Sequence, residues 1–392
     1  MRVFLGAFGD PGHAFPMLAL GEALVAAGHE VGIQTWRRWE PSAVAGGMTF
    51  AAAPEYQVFP TRERPLKPYA AAVRAASETV PFVVSFAPDI AVSDILTPAP
   101  ALAAELCGVP VATLVPHLHP WVPPGFPPFS IGARLPRTRV GSRLWRLTDG
   151  LVARGLQQGR REFNESRARL GLAPLDWVHT GLSRELTMIA TFPQLEYPRD
   201  WEPWLRVVGP LMWEPPGPAV SPPEGEGPVV LIAPSTAQDP KRRLLQAALE
   251  GLADEPVRVL ASTNGDASLP APANARLVPW MSYAKTMPQC DLVVCSGGHG
   301  TLVRALASGC PVVLCPAGGD MAENGARIDW AGLGVRLPLR FCTPAGVRLA
   351  VRRALARRGA RRRAGALAAW AASHPGPARA VAELESWANR RA

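Results

Sequence analysis

Two turns in this sequence combine glycine and histidine where a side chain or a backbone could do chemistry. The first, "GDPGHAFP" (9–16), follows the apolar run "MRVFLGAF" and precedes the helix-like stretch "MLALGEALVAAGHEV". A histidine at a helix start feels the positive end of the dipole, which disfavours imidazolium and is expected to keep the His13 ring neutral near pH 7. A neutral, accessible imidazole is a competent general base, provided a carboxylate on its other nitrogen fixes the tautomer. The alternative role for His13 is that of a turn or capping residue.

The second turn lies in "CDLVVCSGGHGTLVRALASGCPVVLCP" (290–316), where a buried strand runs into Gly297, Gly298 and Gly300 and a helix opens at Thr301. Backbone N–H groups and a helix N-terminus around a concave turn hold phosphate without a metal. Glycines let the anion come close. Ser296, His299 and Thr301 add side-chain donors. No lysine follows the last glycine, so this is not a P-loop.

Other reactive residue types read as structural. Cys107, Cys290, Cys295, Cys310, Cys315 and Cys342 show no C-x-x-C spacing, and five of them sit in apolar stretches of the C-terminal half, where cysteine serves as a small buried hydrophobe. His117 and His119 form an H-x-H, two ligand types without a third, so no metal site is expected. They stand in the proline-rich "PHLHPWVPPGFPPFSIGARLPRTRVG" (116–141), which is expected to be irregular. Loops of this length are usually functional, and Trp121, Phe126 and Phe129 make this one a candidate cleft wall.

The elements that must position these turns follow from the apolar patterning. In the first half, strand-like "RVFLGAF", "EVGIQTW", "DIAVSD", "VPVATLV" and "LTMIATF" alternate with helical patterns at 16–28, 68–79, 98–107 and 150–170. The segment "GPLMWEPPGPAVSPPEGEGP" (209–228) lacks apolar periodicity and reads as a linker. After it come "VVLIAPS", helix 240–252, "VRVLAST", "ARLVPW", "DLVVCSG", helix 300–308, "PVVLCPA", helix 321–331 and "GVRLP". Such alternation predicts two doubly wound α/β domains, 1–208 and 229–392, with the site in the cleft beyond the strands' carboxyl ends.

Composition narrows the classes further. The 392 residues exceed what one core usually supports, and 48% apolar content excludes wholesale disorder. No apolar run approaches the ~20 residues of a membrane span. The start lacks the three regions of a signal peptide, so a soluble, cytoplasmic protein is expected. Much of the +9 net charge lies in "VRRALARRGARRRAG" (351–365), a helical pattern that reads as a solvated face, with peripheral contact to an anionic membrane as the alternative. No zinc finger or basic–aromatic interleaving accompanies it, so no nucleic-acid partner is expected.

The stretch "VPWMSYAKTMPQCDLVVCSGGHGTLVRALASGCPVVLCPAGGDMAENGARIDWAGLGVRL" (278–337) resembles the donor-binding region of family-1, UGT-type glycosyltransferases, particularly the bacterial branch that decorates antibiotics and other natural products. "GHAFPMLALGEALVAAGHEV", "PDIAVSD" with "LAAELCGVPVATL", and "ELTMIATFPQLEYPR…VVGPL" resemble further landmarks in the same order, so the likeness spans most of the chain. It implies a GT-B fold of two Rossmann-like domains, the N-terminal one binding the acceptor and the C-terminal one a nucleoside-diphosphate sugar. A last helix at about 376–392 would pack back on the N-terminal domain.

Residue by residue, the resemblance implies that Trp280 stacks on the nucleobase and the Met281 backbone bonds its edge. Gly298, His299, Gly300 and Thr301 would bind pyrophosphate, Ser235 and Thr236 would approach the phosphates, and Asp320 would bind sugar hydroxyls with Asn324 nearby. Asp94 matches the carboxylate partner of His13, with Asp89 as competitor at the strand's start. Three positions depart. Ser296 replaces a phosphate-binding histidine, whose charge-assisted contact His299 would take over; Arg304 replaces a ribose-binding glutamate; and Met321 replaces a glutamine, which suits a deoxysugar.

These matches imply an inverting transfer from a TDP- or UDP-sugar to a hydroxyl of a small-molecule aglycone, using His13 and Asp94 and no cofactor or metal. Trp121, Phe126 and Phe129 would line the acceptor side. Two alternatives stand beside it: transfer to a lipid or envelope acceptor at a membrane surface, and an inactive nucleotide-sugar-binding auxiliary protein. The acceptor, the choice between the two nucleotides, and monomer against homodimer stay open.

Overall fold

The computed structural model describes residues 1–54, 70–177, 182–235, 241–265 and 269–391. Among these residues the first sheet holds β1 (Arg2–Gly6), β2 (Glu30–Thr35), β3 (Thr49–Ala52), β4 (Ile90–Asp94), β5 (Val111–Val115), β6 (Thr187–Ile189) and β7 (Leu205–Val207), in the order β3-β2-β1-β4-β5-β6-β7. The second holds β8 (Val229–Ala233), β9 (Arg258–Ser262), β10 (Ala275–Val278), β11 (Leu292–Cys295), β12 (Val312–Leu314) and β13 (Gly334–Arg336), in the order β10-β9-β8-β11-β12-β13. The described pairings are all parallel. Val3, Phe4 and Leu5 of β1 and Val230, Leu231 and Ile232 of β8 are wholly buried, as continuous apolar strands covered by helices on both faces must be. The short outer strands β3 and β7 escaped the sequence reading, because at the sheet's edges their residues need not be fully apolar.

Strand order reverses between β1 and β4 in one sheet and between β8 and β11 in the other. Such a switch point leaves a crevice beyond the strands' carboxyl ends. Gly6 pairs with Ser93, so Asp94 lies just past the end of β1, where the helix Pro11–Ala26 begins. In the second sheet Ala233 pairs with Cys295, which sets the loop after β8 beside the turn before the helix His299–Ala307. The helix Gly319–Ala331 starts beyond β12, so two helix N-termini open on the same edge.

Two expectations about helices change. The helix expected at 150–170 spans Arg139–Arg169, because the Thr138 hydroxyl caps it by accepting from Gly141 N at 3.1 Å. The basic run 351–365 is two helices, Pro344–Ala356 and Arg358–Ser373. Its arginines are partly engaged within their own domain: Arg352 with Glu255 and Arg361 with Asp291, each at 2.6 Å, and Arg357 and Arg363 with the carbonyls of Gly334 and Gly332.

Residues 209–228 form no helix or strand. Trp213 there packs against Phe15 at 5.0 Å and donates its indole N–H to Glu22 at 2.7 Å. The helix Gly376–Asn389 returns to the first sheet, where Ala380, Val381, Leu384 and Trp387 share a core with Leu18, Leu20 and Leu24. Cys107, Cys290, Cys295 and Cys310 are free thiols; burial pushes Cys290, Cys295 and Cys310 up to about 12, so these three remain protonated hydrophobes. Among the described residues no helix is long and apolar enough to cross a membrane.

Candidate active site

His13 sits in the first turn of its helix, with its backbone N–H bonded to the Asp10 carbonyl at 2.9 Å. Its Nδ1 donates to Asp94 Oδ1 at 2.8 Å, and the other Asp94 oxygen accepts from Phe8 N at 3.4 Å. The Asp94 side chain is 1% exposed and that of His13 14%, so the carboxylate is locked while part of the His13 side chain stays accessible. Asp89 takes no part: at the start of β4 it accepts from Arg2 N at 2.7 Å.

The protonation balance of His13 differs from the sequence expectation. Burial opposes imidazolium, but Asp94, by charge and hydrogen bond, with Asp320 and Asp10 beyond it, raises the pKa above its ordinary value. A helix end contributes about 0.3–1 kcal/mol and fades within a turn, which a carboxylate in contact exceeds.

His117, read from sequence as half of a weak H-x-H, stands beside this pair. Its ring lies 6.1 Å from that of His13, edge to face, and stacks on Phe129 at 6.1 Å. Nδ1 donates to the Leu118 carbonyl at 2.7 Å, leaving Nε2 as the acceptor nitrogen. Burial, then the neighbouring His13, lowers its pKa, so it is neutral near pH 7. His119 is buried against Trp201 instead. Among the described residues no three His, Cys, Asp or Glu side chains gather as a metal site would require.

Across the cleft, Gly297 adopts a φ of +88°, a conformation that favours glycine. A Cβ at Gly298 or Gly300 would meet nothing within 4 Å, so the turn is open to a ligand. Ser296 Oγ accepts from Ser235 N at 3.1 Å, which joins the loop after β8 to the turn. Asn324 Nδ2 donates to the Gly297 carbonyl at 2.8 Å and its Oδ1 receives His299 Nδ1 at 3.0 Å. His299 and Asn324 therefore brace the turn from beneath. Burial drives the His299 pKa down to about 4, so the charge-assisted phosphate contact expected of it is withdrawn: the ring is neutral.

Asp320 lies in the first turn of Gly319–Ala331, close enough to bear on both His13 and His117. Trp280 is 41% exposed, whereas Met281 and Met321 are buried. Arg304 faces Glu214 of the 209–228 segment at 3.9 Å. Of the three aromatics in the 116–141 loop, Phe129 reaches His117, Phe126 packs on Tyr197 at 5.9 Å, and Trp121 is exposed. Thr236 lies outside the described residues.

Residues 243–387 match the family described as "Erythromycin biosynthesis protein CIII-like, C-terminal domain". The 4'-demethylrebeccamycin synthase of Lentzea aerocolonigenes is 29% identical over 90% of this chain and 91% of its own. The chain is a glycosyltransferase, similar over most of its length to enzymes of antibiotic and natural-product biosynthesis. The glycosyltransferase of kitacinnamycin superposes with a TM-score of 0.77 at 20% identity, covering 98% of each chain. The glycosyltransferase VinC in complex with DTDP gives a TM-score of 0.70 at 21% identity, covering 100% of each. At such identities the two structures establish a shared GT-B fold.

In this glycosyltransferase the sequence reading overlooked the side chains that hold the His13 turn. Trp39 donates its indole N–H to the Gly9 carbonyl at 2.7 Å, Arg38 bonds the same oxygen, and Trp36 meets Phe8 edge-on at 5.0 Å. The dense "WRRW" (36–39) straight after β2 was the available signal. The neutral His299 has a measurable consequence. Its unfolded form takes up a proton near pH 6.5, whereas the folded form resists until about 4, so stability falls on acidification through that window. Between pH 7 and pH 5 the wild-type glycosyltransferase is expected to lose about 2 kcal/mol more than a His299→Gln variant. Urea unfolding at both pH values checks this, and equal losses would refute it.

Proposed function

We propose that the enzyme transfers a sugar, with inversion, from a TDP-sugar to a hydroxyl of a small-molecule natural product. The observation that carries this reading is the buried Asp94–His13 bond of 2.8 Å, which engages Nδ1 and so makes Nε2 the proton-accepting nitrogen, with the Asp320 charge near enough to act on the ring. The acceptor hydroxyl gives its proton to Nε2 as its oxygen attacks the anomeric carbon from the face opposite the diphosphate. The C–O bond to the phosphate breaks as the new glycosidic bond forms. Asp94 stabilises the imidazolium that results.

On the donor side, Gly298, Gly300 and the N-termini of His299–Ala307 and Gly319–Ala331 offer backbone N–H groups to the leaving diphosphate. Ser235, Ser296 and Thr301 edge that site, Trp280 offers an indole face to the base, the Met281 backbone borders it, and Asp320 meets the sugar hydroxyls. The reading needs no cofactor or metal. Thymidine is favoured because VinC, of the same fold, binds DTDP.

A thermal-shift panel with TDP, UDP and GDP tests the donor. TDP at about 100 times its Kd should stabilise by about 2.7 kcal/mol, and Trp280→Ala should weaken it by the ~1–3 kcal/mol of one base–aromatic stack. A larger shift with UDP would reassign the donor. No shift with any nucleotide would reject the nucleotide-sugar reading.

A further inference from the structure

A buried ion cluster joins the two halves of the site without belonging to either. Arg327, on the helix Gly319–Ala331, is wholly buried and reaches into the N-terminal half. Its Nη1 donates to the Leu195 carbonyl at 2.9 Å and to Glu196 Oε2 at 3.1 Å, its Nε donates to Glu323 Oε1 at 2.8 Å, and its guanidinium lies 3.5 Å over the Tyr197 ring. Glu196 is almost as buried. Its Oε2 also meets Arg199 at 3.4 Å, and its Oε1 accepts from His119 N at 2.7 Å. Two arginines and two glutamates are thus withdrawn from water at the junction. Buried ion sets of this kind are weak evidence for stability, since apolar side chains would hold an interface as well. What they add is direction, because a planar guanidinium bonding through Nε and Nη1 fixes rotation as well as distance.

Both ends of the cluster lead to reacting groups. Glu196 holds the backbone of His119, two residues from His117, whose ring flanks His13. Glu323 and Arg327 share a helix with Asp320, and Asn324, next to Glu323, braces the glycine turn. We propose that Arg327 and Glu196 are a positioning pair, setting where His117 and His13 stand relative to Asp320 and the donor turn. Neither touches the reacting atoms. The inference rests on the reading that transfer runs across this cleft.

The test uses the full chain with Arg327→Lys, Arg327→Met and Glu196→Gln. On a Cys107→Ala background, spin labels at Val44→Cys and Leu349→Cys, both exposed positions, report the distance between the halves. NMR of labelled histidine rings reports the His13 and His117 titrations, and calorimetry reports TDP affinity. Wild type should give one narrow distance, and His117 a pKa below the ordinary histidine value. The Met and Gln variants should broaden the distance and return His117 toward that ordinary value, with TDP affinity unchanged and the Lys variant intermediate. Variants that melt like wild type and match it in both distance and His117 titration would overturn the proposal. If Arg327→Met does not fold, the Lys and Gln variants decide it. Wild-type turnover in His13→Ala would remove the transfer reading instead, and the distance and ring measurements would still judge the pair.

Discussion

His13→Ala is expected to lower kcat by about 10²- to 10⁴-fold, the usual worth of a positioned general base, while TDP binds as in wild type. The two effects separate because His13 follows β1 in the first sheet, whereas the glycine turn follows β11 in the second. The pH profile supplies an independent check. Asp94 raises the His13 pKa against burial, so the base is protonated already somewhat above the ordinary histidine value and kcat falls on acidification through that point. Asp94→Asn removes the charge and lets burial dominate, so the acid limb should move to lower pH even as the maximal rate drops. Steady-state kinetics across pH decides the matter. Wild-type kcat in His13→Ala, or an acid limb unmoved in Asp94→Asn, would sink the assignment.

Gly300→Val is expected to abolish useful nucleotide binding while the protein stays folded. A Cβ there meets nothing within 4 Å outside the helix's own backbone, so the neighbouring elements leave room for its first carbon, and valine is a better helix former than glycine within His299–Ala307. A diphosphate bound against the turn would lose the approach to its N–H groups. If two charge-assisted bonds of about 1.5–3 kcal/mol each are lost, affinity falls by about 10²- to 10⁴-fold. Calorimetry with TDP, beside a thermal melt without ligand, measures both halves of this expectation. Unchanged affinity in a folded variant would move the phosphate away from the turn.

The two predictions stand on different kinds of legibility. The glycine turn is a local pattern, a buried strand followed at once by residues that only a close-approach turn requires, so it could be read directly from 290–316. His13 was visible as a residue type at a helix start, but its chemistry was not. The helix-end argument gave one sign for its pKa and the Asp94 contact gives the other. His299 was visible as a donor beside glycines, yet burial beneath the turn and the Asn324 bond make it a neutral brace.

The sequence by itself determined the parallel α/β architecture, because continuous apolar runs alternating with helical periodicity can be satisfied in few other ways. It also determined the glycine turn and the lack of regular structure in 209–228. These are properties of neighbouring residues, set by backbone sterics and local patterning. Only the tertiary structure decided which distant segments meet. Asp94 reaches His13 across 81 positions because β4 pairs with β1, and Glu196 reaches Arg327 across 131 positions because a helix of the second domain packs on a turn of the first. Strand order and domain packing are set by the sum of many weak contacts between remote surfaces, which no local pattern carries. Protonation follows from them, since burial and charge act through distance in space and not along the chain.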